Sequence, residues 1–207
     1  MAIYPPAKSR SIRSTNGHMD DFDTFFNELR SRWVKVERLQ EYDESDSAGY
    51  QAFKRGEYAE ARNLVQRMVR SQTTNYSHAR RFGVAMIRIR ICDLPLSPYL
   101  VHYEIPAYLA DIECGEDIRF VDSRLIEDLL TDSGISDYVL FDDKRVTALI
   151  YDVASATLQD VLLTEDPAVV RQYVEISDEL IRRSVPMLES PYSRLFAKTT
   201  SVHLDAE

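Results

Sequence analysis

Apolar residues recur along the chain with two different periods, and the changes between them predict where helices give way to strands. Positions 22–29 carry phenylalanine and leucine at the three- and four-residue spacing of an amphipathic helix. Positions 45–71 repeat that spacing, with a break expected at Gly56. A further helix is expected over 167–183, where Asp166 can cap the first turn and is followed by a proline.

Short apolar runs bounded by turn residues predict the strands. We expect them over 33–37, 84–92, 117–121, 138–141, 146–151 and 158–163. Short turns separate the last three, which should therefore form an antiparallel meander. Pro95 and Pro98 follow the second strand, and Ser97 can cap a new helix that Pro106 should stop or kink. With a short helix over 123–130, the pattern predicts an α+β fold, a mostly antiparallel sheet with helices packed against it.

Composition narrows the class of protein. The 207 residues are 44% hydrophobic and 29% charged, which is typical of a soluble domain with a sizeable core. The net charge of −9 argues against a surface that coats nucleic acid, so we do not expect nucleic acid as a partner. No stretch approaches the roughly 20 apolar residues of a membrane span, and no signal-peptide core follows the first basic residues. We therefore expect a cytoplasmic protein without membrane association.

The two ends of the chain differ from the part between them. Residues 1–18 carry four basic residues, no acid and no apolar period, which predicts a disordered or loosely docked arm. Positions 17–19 (Gly-His-Met) also resemble a remnant of cloning, in which case the native chain starts at Met19; alternatively, the basic arm touches an anionic partner. We expect a single domain over 19–188 and a loose tail over 189–207.

Arg88 and Arg90 alternate with isoleucines in the second predicted strand, so their guanidinium groups share one face. Two guanidinium groups about 7 Å apart on one strand face could form bidentate hydrogen bonds with phosphate or carboxylate oxygens. The pair therefore predicts a site for a small anionic ligand or an acidic partner segment. The alternative is that it neutralises acids of the chain itself, such as Glu104, Asp142 and Asp143.

Tyr99, Tyr103 and Glu104 fall within about one helical turn after Pro98. An aromatic pair beside a carboxylate could form a shelf for a ligand. The alternative is ordinary core packing with the phenol oxygens at the rim, which is the usual position of tyrosine.

Asp142 and Asp143 follow the fourth predicted strand. Two adjacent acids there could hold a divalent metal or supply a general base, but a hairpin turn favours the same residues for conformational reasons. With Glu104 they would make a metal-assisted enzyme for a phosphodiester or nucleotide-like substrate, in which Arg88 and Arg90 hold the anion. The sequence has no zinc-ligand spacing, phosphate-binding loop or nucleophile motif, so no cofactor is expected.

Many of these residues also fall on one pattern. It reads Arg-x-Arg before Pro-Leu-x-x-Tyr, an aromatic residue before Glu, Gly-Glu-Asp-Ile-Arg, and Leu-Phe-Asp-Asp before a β-branched residue. The matching positions are Arg88, Arg90, Pro95, Leu96, Tyr99, Tyr103, Glu104, 115–119, 140–143 and Val146. Over roughly residues 20–188 the chain resembles an actinobacterial family of domains of unknown function, often encoded near helix-turn-helix regulators. The resemblance implies such a regulator as a candidate protein partner and implies no activity.

Three hypotheses follow. The leading one is a cytoplasmic binding or regulatory module that recognises a partner protein or small anionic ligand through Arg88, Arg90 and the segment of Tyr99, Tyr103 and Glu104. The second is the metal-assisted enzyme, and the third is one half of a toxin–antitoxin pair. Convergence of the two arginines, the glutamate and the two aspartates in one concave site would favour the enzyme.

Overall fold

The computed structural model describes residues 3–13 and 21–193. The strands are β1 (Arg10–Ser11), β2 (Arg32–Glu37), β3 (Ala85–Cys92), β4 (Asp117–Asp122), β5 (Tyr138–Phe141), β6 (Arg145–Tyr151), β7 (Leu158–Thr164) and β8 (Val185–Pro186). The helices are α1 (Phe22–Glu28), α2 (Ala48–Lys54), α3 (Tyr58–Ser71), α4 (Thr73–Phe82), α5 (Ile105–Cys114), α6 (Glu127–Ser133) and α7 (Pro167–Arg183). All eight strands form one sheet in the order β1-β7-β6-β5-β2-β3-β4-β8.

Most neighbouring strands of this sheet run antiparallel, and the predicted α+β class is confirmed. The predicted meander is β5-β6-β7, in which Tyr138 lies opposite Ala148 and Ala148 opposite Leu162. The centre differs, because β2, β3 and β4 are parallel to one another. Parallel neighbours need a crossover connection, and here helices provide it: α2 to α4 before β3, and α5 before β4.

The two faces of the sheet bury different kinds of side chain. One face is mainly apolar: Val34 and Val36 of β2 and Ile89 of β3 are fully buried against α6 and α7, and Arg32 and Arg119 share this face with them. The opposite face is apolar at one end, where Trp33 and Phe141 pack under α1 and α4. The rest of that face lies under α2, α3 and α5 and carries charged side chains.

The helix after β3 continues past Pro106, so this proline does not stop it, which was one of the two effects expected. Ser97 accepts a hydrogen bond from the Leu100 N–H at 3.1 Å, as its predicted capping role requires. Leu100–Glu104 then form a π-helical turn in which the Ile105 N–H bonds to the carbonyl of Leu100. Pro106 has no N–H to donate to the preceding turn. The wider π-helical turn tolerates this missing hydrogen bond, and α5 follows without interruption.

Both ends of the described chain pack against the domain. β1 pairs with β7, and the Tyr4 hydroxyl donates to the Leu149 carbonyl at 2.7 Å, so residues 3–13 lie along the sheet edge and not free of it. Near the other end, Met187 and Ser190 are buried. The possible cloning remnant at 17–19 and most of the predicted tail lie outside the described residues. No helix in the described ranges is long and apolar enough to cross a membrane.

Candidate functional site

A band of paired charges crosses the sheet beneath α3 and α5. The register of β2 and β3 sets Lys35 beside Arg88 and Glu37 beside Arg90. Glu37 accepts from Arg88 at 3.1 Å and from Lys35 at 2.6 Å, and Glu116 accepts from the Nε of Arg88 at 2.7 Å. Burial alone would raise the pKa of Glu37, but the charges of Lys35, Arg88 and Arg90 hold it well below its usual range.

A cavity of about 440 Å³ opens between this band and the helices that cover it. Six acidic and two basic side chains line it, together with three tyrosines and the apolar side of α3. The acids are Glu37, Asp43, Glu44, Glu104, Asp111 and Asp137, the bases are Lys35 and Arg88, and the tyrosines are Tyr42, Tyr103 and Tyr151. The cavity is thus concave, aromatic and acidic.

Tyrosine hydroxyls bind the acids at the helix side of the cavity. The Tyr99 oxygen lies 2.5 Å from Glu44 Oε1 and 2.5 Å from Glu104 Oε1. Tyr103, next to Glu104 in the π-helical turn, donates to Glu44 Oε2 at 2.9 Å. Burial, and then the neighbouring charge of Glu104, raise the pKa of Glu44 to about 7.

A second tyrosine-bridged pair lies at the end of α5. The Tyr76 oxygen is 2.5 Å from Asp111 Oδ1 and 3.2 Å from Glu116 Oε2. Burial raises the pKa of Asp111 to about 6; the Arg88 charge opposes this shift and the Glu116 charge adds to it. In both pairs, one tyrosine hydroxyl thus contacts two acidic side chains.

The structure brings only some of the predicted site residues to the cavity. Arg88, Tyr103 and Glu104 line it, whereas Tyr99 is fully buried behind them. Arg90 is also fully buried, and its guanidinium donates to the Leu39 carbonyl at 2.5 Å and to the Tyr42 hydroxyl at 3.2 Å.

Arg88 does neutralise acids of the chain itself, as the alternative interpretation held, and of the three acids suggested as examples Glu104 interacts with Arg90 instead. The Arg88 guanidinium pairs with Glu37 and Glu116, and Asp111 lies 3.8 Å away.

Asp142 and Asp143 lie at the other end of β2 and occupy a tight turn. Both have positive φ values, 50° and 56°, which the hairpin between β5 and β6 requires. The Asp142 carboxylate accepts the backbone N–H groups of Arg30, Ser31 and Arg32, the last at 3.2 Å. Arg32 and Glu37 are the two ends of β2, roughly 17 Å apart at the usual rise of a strand. The two aspartates therefore do not converge with Glu104.

The arrangement also bears on the metal-assisted hypothesis. Among residues 3–13 and 21–193, no group of three or more His, Cys, Asp or Glu side chains is placed to hold a metal ion. The described residues thus give that hypothesis no set of ligands on which to build a site.

Sequence reasoning missed most of the acids in the cavity, although one signal was available. Lys35 and Glu37 alternate with Val34 and Val36, just as the two arginines alternate with isoleucines, so β2 also has a charged face. Glu116, between Gly115 and β4, binds Arg88 and Tyr76. Glu44 lies in a polar connection without any period, and no local pattern distinguishes it.

Comparison with known proteins identifies the family. The chain belongs to the family described as domain of unknown function (DUF6879), whose profile matches residues 20–190. No curated protein matches it. The matched range is close to residues 20–188, over which the chain resembles a family of domains of unknown function, and the match adds no activity.

Several solved structures are similar to the chain. Nuc, a phospholipase D family member from Salmonella typhimurium, has 8% identity and a TM-score of 0.50 over 86% of this chain and 97% of its own. NucT from Helicobacter pylori has 14% identity and a TM-score of 0.44 over 87% of this chain and 99% of its own. TrmBL2, an archaeal chromatin protein, has 13% identity and a TM-score of 0.41 over 86% of this chain, which spans only 52% of TrmBL2. At such identities the likeness concerns the fold alone.

Proposed function

We propose that the protein is a binding module and that the acidic cavity is its ligand site. The observation that carries the proposal is a concave, tyrosine-lined space of about 440 Å³ with six acids against two bases. Its volume lies within the range of about 300–1,000 Å³ usual for small-molecule sites, and a few polar groups converge on it from several elements.

The charge of the cavity favours a cationic ligand over the anion that the arginines alone suggested. The Arg88 guanidinium is held by the chain's own carboxylates, and Arg90 is buried, so neither offers a free fork to a phosphate group. Burial, and after it the charges of Glu104 and Glu116, raise the pKa values of Glu44 to about 7 and of Asp111 to about 6, so a positive charge in the cavity would stabilise the ionised forms of both. A ligand ammonium or guanidinium would supply that charge.

The aromatic lining supports the same class of ligand. Tyr42, Tyr103 and Tyr151 contribute ring surfaces to the cavity, and cations are attracted to the faces of aromatic rings. The apolar side of α3, with Val65 and Val69, would contact the hydrocarbon part of such a ligand. A lysine or arginine side chain of a partner protein presents the same chemistry, so a partner related to a helix-turn-helix regulator stays a prediction.

The proposal is tested by adding small ligands of either charge to the purified protein. Agmatine, spermidine and benzylamine represent organic cations, and inorganic phosphate and AMP represent anions. We expect at least one amine to raise the free energy of unfolding, by about 2.7 kcal/mol at 100 times its dissociation constant, and the anions to have no effect.

Matched variants place the site. Glu104→Gln removes a charge from the cavity and should weaken amine binding, whereas Glu60→Gln, on the exposed side of α3, should leave binding unchanged. Binding of phosphate or AMP that is lost in Arg88→Met would instead support the anionic ligand. Absence of any binding by the amines would contradict the proposal.

A further inference from the structure

The contact between Tyr99 and two carboxyl groups constrains where a proton must be. A phenol oxygen carries one hydrogen and can donate it to one acceptor. Both Glu44 Oε1 and Glu104 Oε1 lie 2.5 Å from that oxygen, the short distance of a charge-assisted O–H···O bond. The second contact therefore needs a hydrogen of its own, because an ionised carboxylate would otherwise face a phenol lone pair.

One of the two carboxyl groups is thus neutral in this arrangement. It donates to the Tyr99 oxygen, while Tyr99 donates to the other carboxylate. The group formed by Glu44, Tyr99 and Glu104, which we call the Tyr99 bridge, holds one ionisable proton more than two free glutamates would hold at neutral pH. The pKa of Glu44, raised to about 7 by burial and by the Glu104 charge, agrees with this geometry.

The surroundings keep that proton in place but do not make it permanent. Lys35 on β2 favours ionisation of Glu44, whereas Glu104 faces the charges of Arg90 on β3 and Asp111 on α5. Tyr103 and Tyr108 on the helix and Tyr151 on β6 face the same carboxyls with neutral phenols. Glu44 and Glu104 both line the cavity, so a cation there would act directly on the pair.

We propose that the Tyr99 bridge holds its proton while the cavity is empty and releases it to solvent when a cationic ligand binds. The inference rests on the proposed function and adds its regulation: the ligand cation takes the place of the proton as the charge that balances the two glutamates. No bond other than the O–H bond of the carboxylic acid breaks, and the proton leaves to the buffer.

This exchange makes affinity depend on pH in a defined direction. Where the bridge is protonated, binding has to expel one proton, so the association constant should rise up to tenfold for each pH unit. Where the bridge is already ionised, the constant should no longer change. With the pKa of Glu44 at about 7, we expect the rise between pH 5.5 and 7 and a plateau above about pH 8.

The first test needs no ligand. Carbon-13 NMR of the glutamate carboxyl groups between pH 4 and 9 should show one titration near pH 7. Glu44→Gln and Glu104→Gln should each abolish it, and Glu60→Gln should retain it. If all glutamates titrate below pH 5, or if the titration near pH 7 survives both cavity variants, the Tyr99 bridge holds no such proton and the inference is overturned.

The second test measures the exchange itself. An amine that binds, among agmatine, spermidine and benzylamine, is titrated into the protein by calorimetry in PIPES and in HEPES. The difference between the binding heats in the two buffers gives the number of protons released on binding. We expect close to one proton released at pH 6 and close to none at pH 8.5. Binding without proton release at pH 6 overturns the exchange and leaves the proposed function intact. Failure of all three amines to bind overturns both, whatever the NMR titration shows.

Discussion

Replacing Arg88 with methionine tests whether the paired charges at the centre of the sheet hold this part of the protein together. The substitution keeps an unbranched side chain and removes the guanidinium. The side chains of its partners are almost fully buried, with 1% exposed for Glu116 and 4% for Glu37. Removing one partner of a buried ion pair costs about 3–5 kcal/mol, since the remaining charge stays buried without compensation. Lys35 stays 2.6 Å from Glu37, so we expect Glu116 to suffer the larger loss.

Urea unfolding followed by circular dichroism measures this loss. With an m value of about 2 kcal/mol per M, the expected cost lowers the midpoint by roughly 2 M. Arg55→Met is the matched control, because Arg55 and its partner Glu57 are both about half exposed and such a pair contributes little. The double variant Arg88→Met/Glu116→Gln should recover part of the loss, because it removes the carboxylate that was left unpaired.

The pH dependence of the same measurement has a definite sign. The Arg88 charge lowers the pKa of Asp111, which burial raises to about 6, and that of Glu37, so both pKa values should rise when this charge is removed. The folded variant then binds more protons than the parent does, so its stability relative to the parent should improve as the pH falls from 8 to 5. A loss no larger than that of Arg55→Met, or a deficit independent of pH, would refute the reasoning.

Three further predictions concern other parts of the molecule. Asp142→Ala should lower the free energy of unfolding by about 2 kcal/mol, because three backbone N–H groups lose a charged acceptor and alanine is strained at φ 50°; urea unfolding should show a smaller loss for Asp142→Asn. Burial opposes the ionisation of Asp142, but the hydrogen bonds from Ser31 and its neighbours lower its pKa, so its advantage over asparagine should disappear below about pH 4. The pKa of Glu44, about 7 in the folded protein, exceeds its unfolded value, so thermal melts should show the parent losing stability relative to Glu44→Gln from pH 5 to 8. Deleting residues 1–13 should lower the melting temperature and promote self-association, because Ile12 is buried and β7 would become an open edge; an unchanged melting temperature and a monomer would show that the arm is dispensable.

Features that depend on a few neighbouring residues, such as helix caps and breaks, were predicted correctly. Asp166 accepts the N–H groups of Ala168 and Val169, as expected of a helix cap, and α7 spans the predicted residues. The break at Gly56 also falls where it was predicted, between α2 and α3, and this glycine has a φ of 79°. The π-helical turn before Pro106 was not predicted, because such a turn has no sequence signal of comparable strength.

The candidate site was predicted only in part for the same reason. Alternation along β3 correctly placed Arg88 and Arg90 on one face, which is a local property of a strand. It could not show that α5 covers this face, or that Glu116 reaches back to Arg88 across the end of β4. Adjacent aspartates suggested metal chemistry, and only the structure distinguishes that role from the turn that Asp142 and Asp143 form.

The sequence by itself determined most helices except α4, most strands, the fold class and which residues of a strand share a face, because periodicity, caps and turns act over a few residues. The tertiary structure decided which charges meet. Arg88 pairs with Glu37, 51 positions away, and Tyr99 binds Glu44, 55 positions away. Both contacts depend on the strand order and on the helices that cross the sheet. A charge buried in a medium of low polarisability has to find a partner, and its identity is set by long-range packing that no local pattern records.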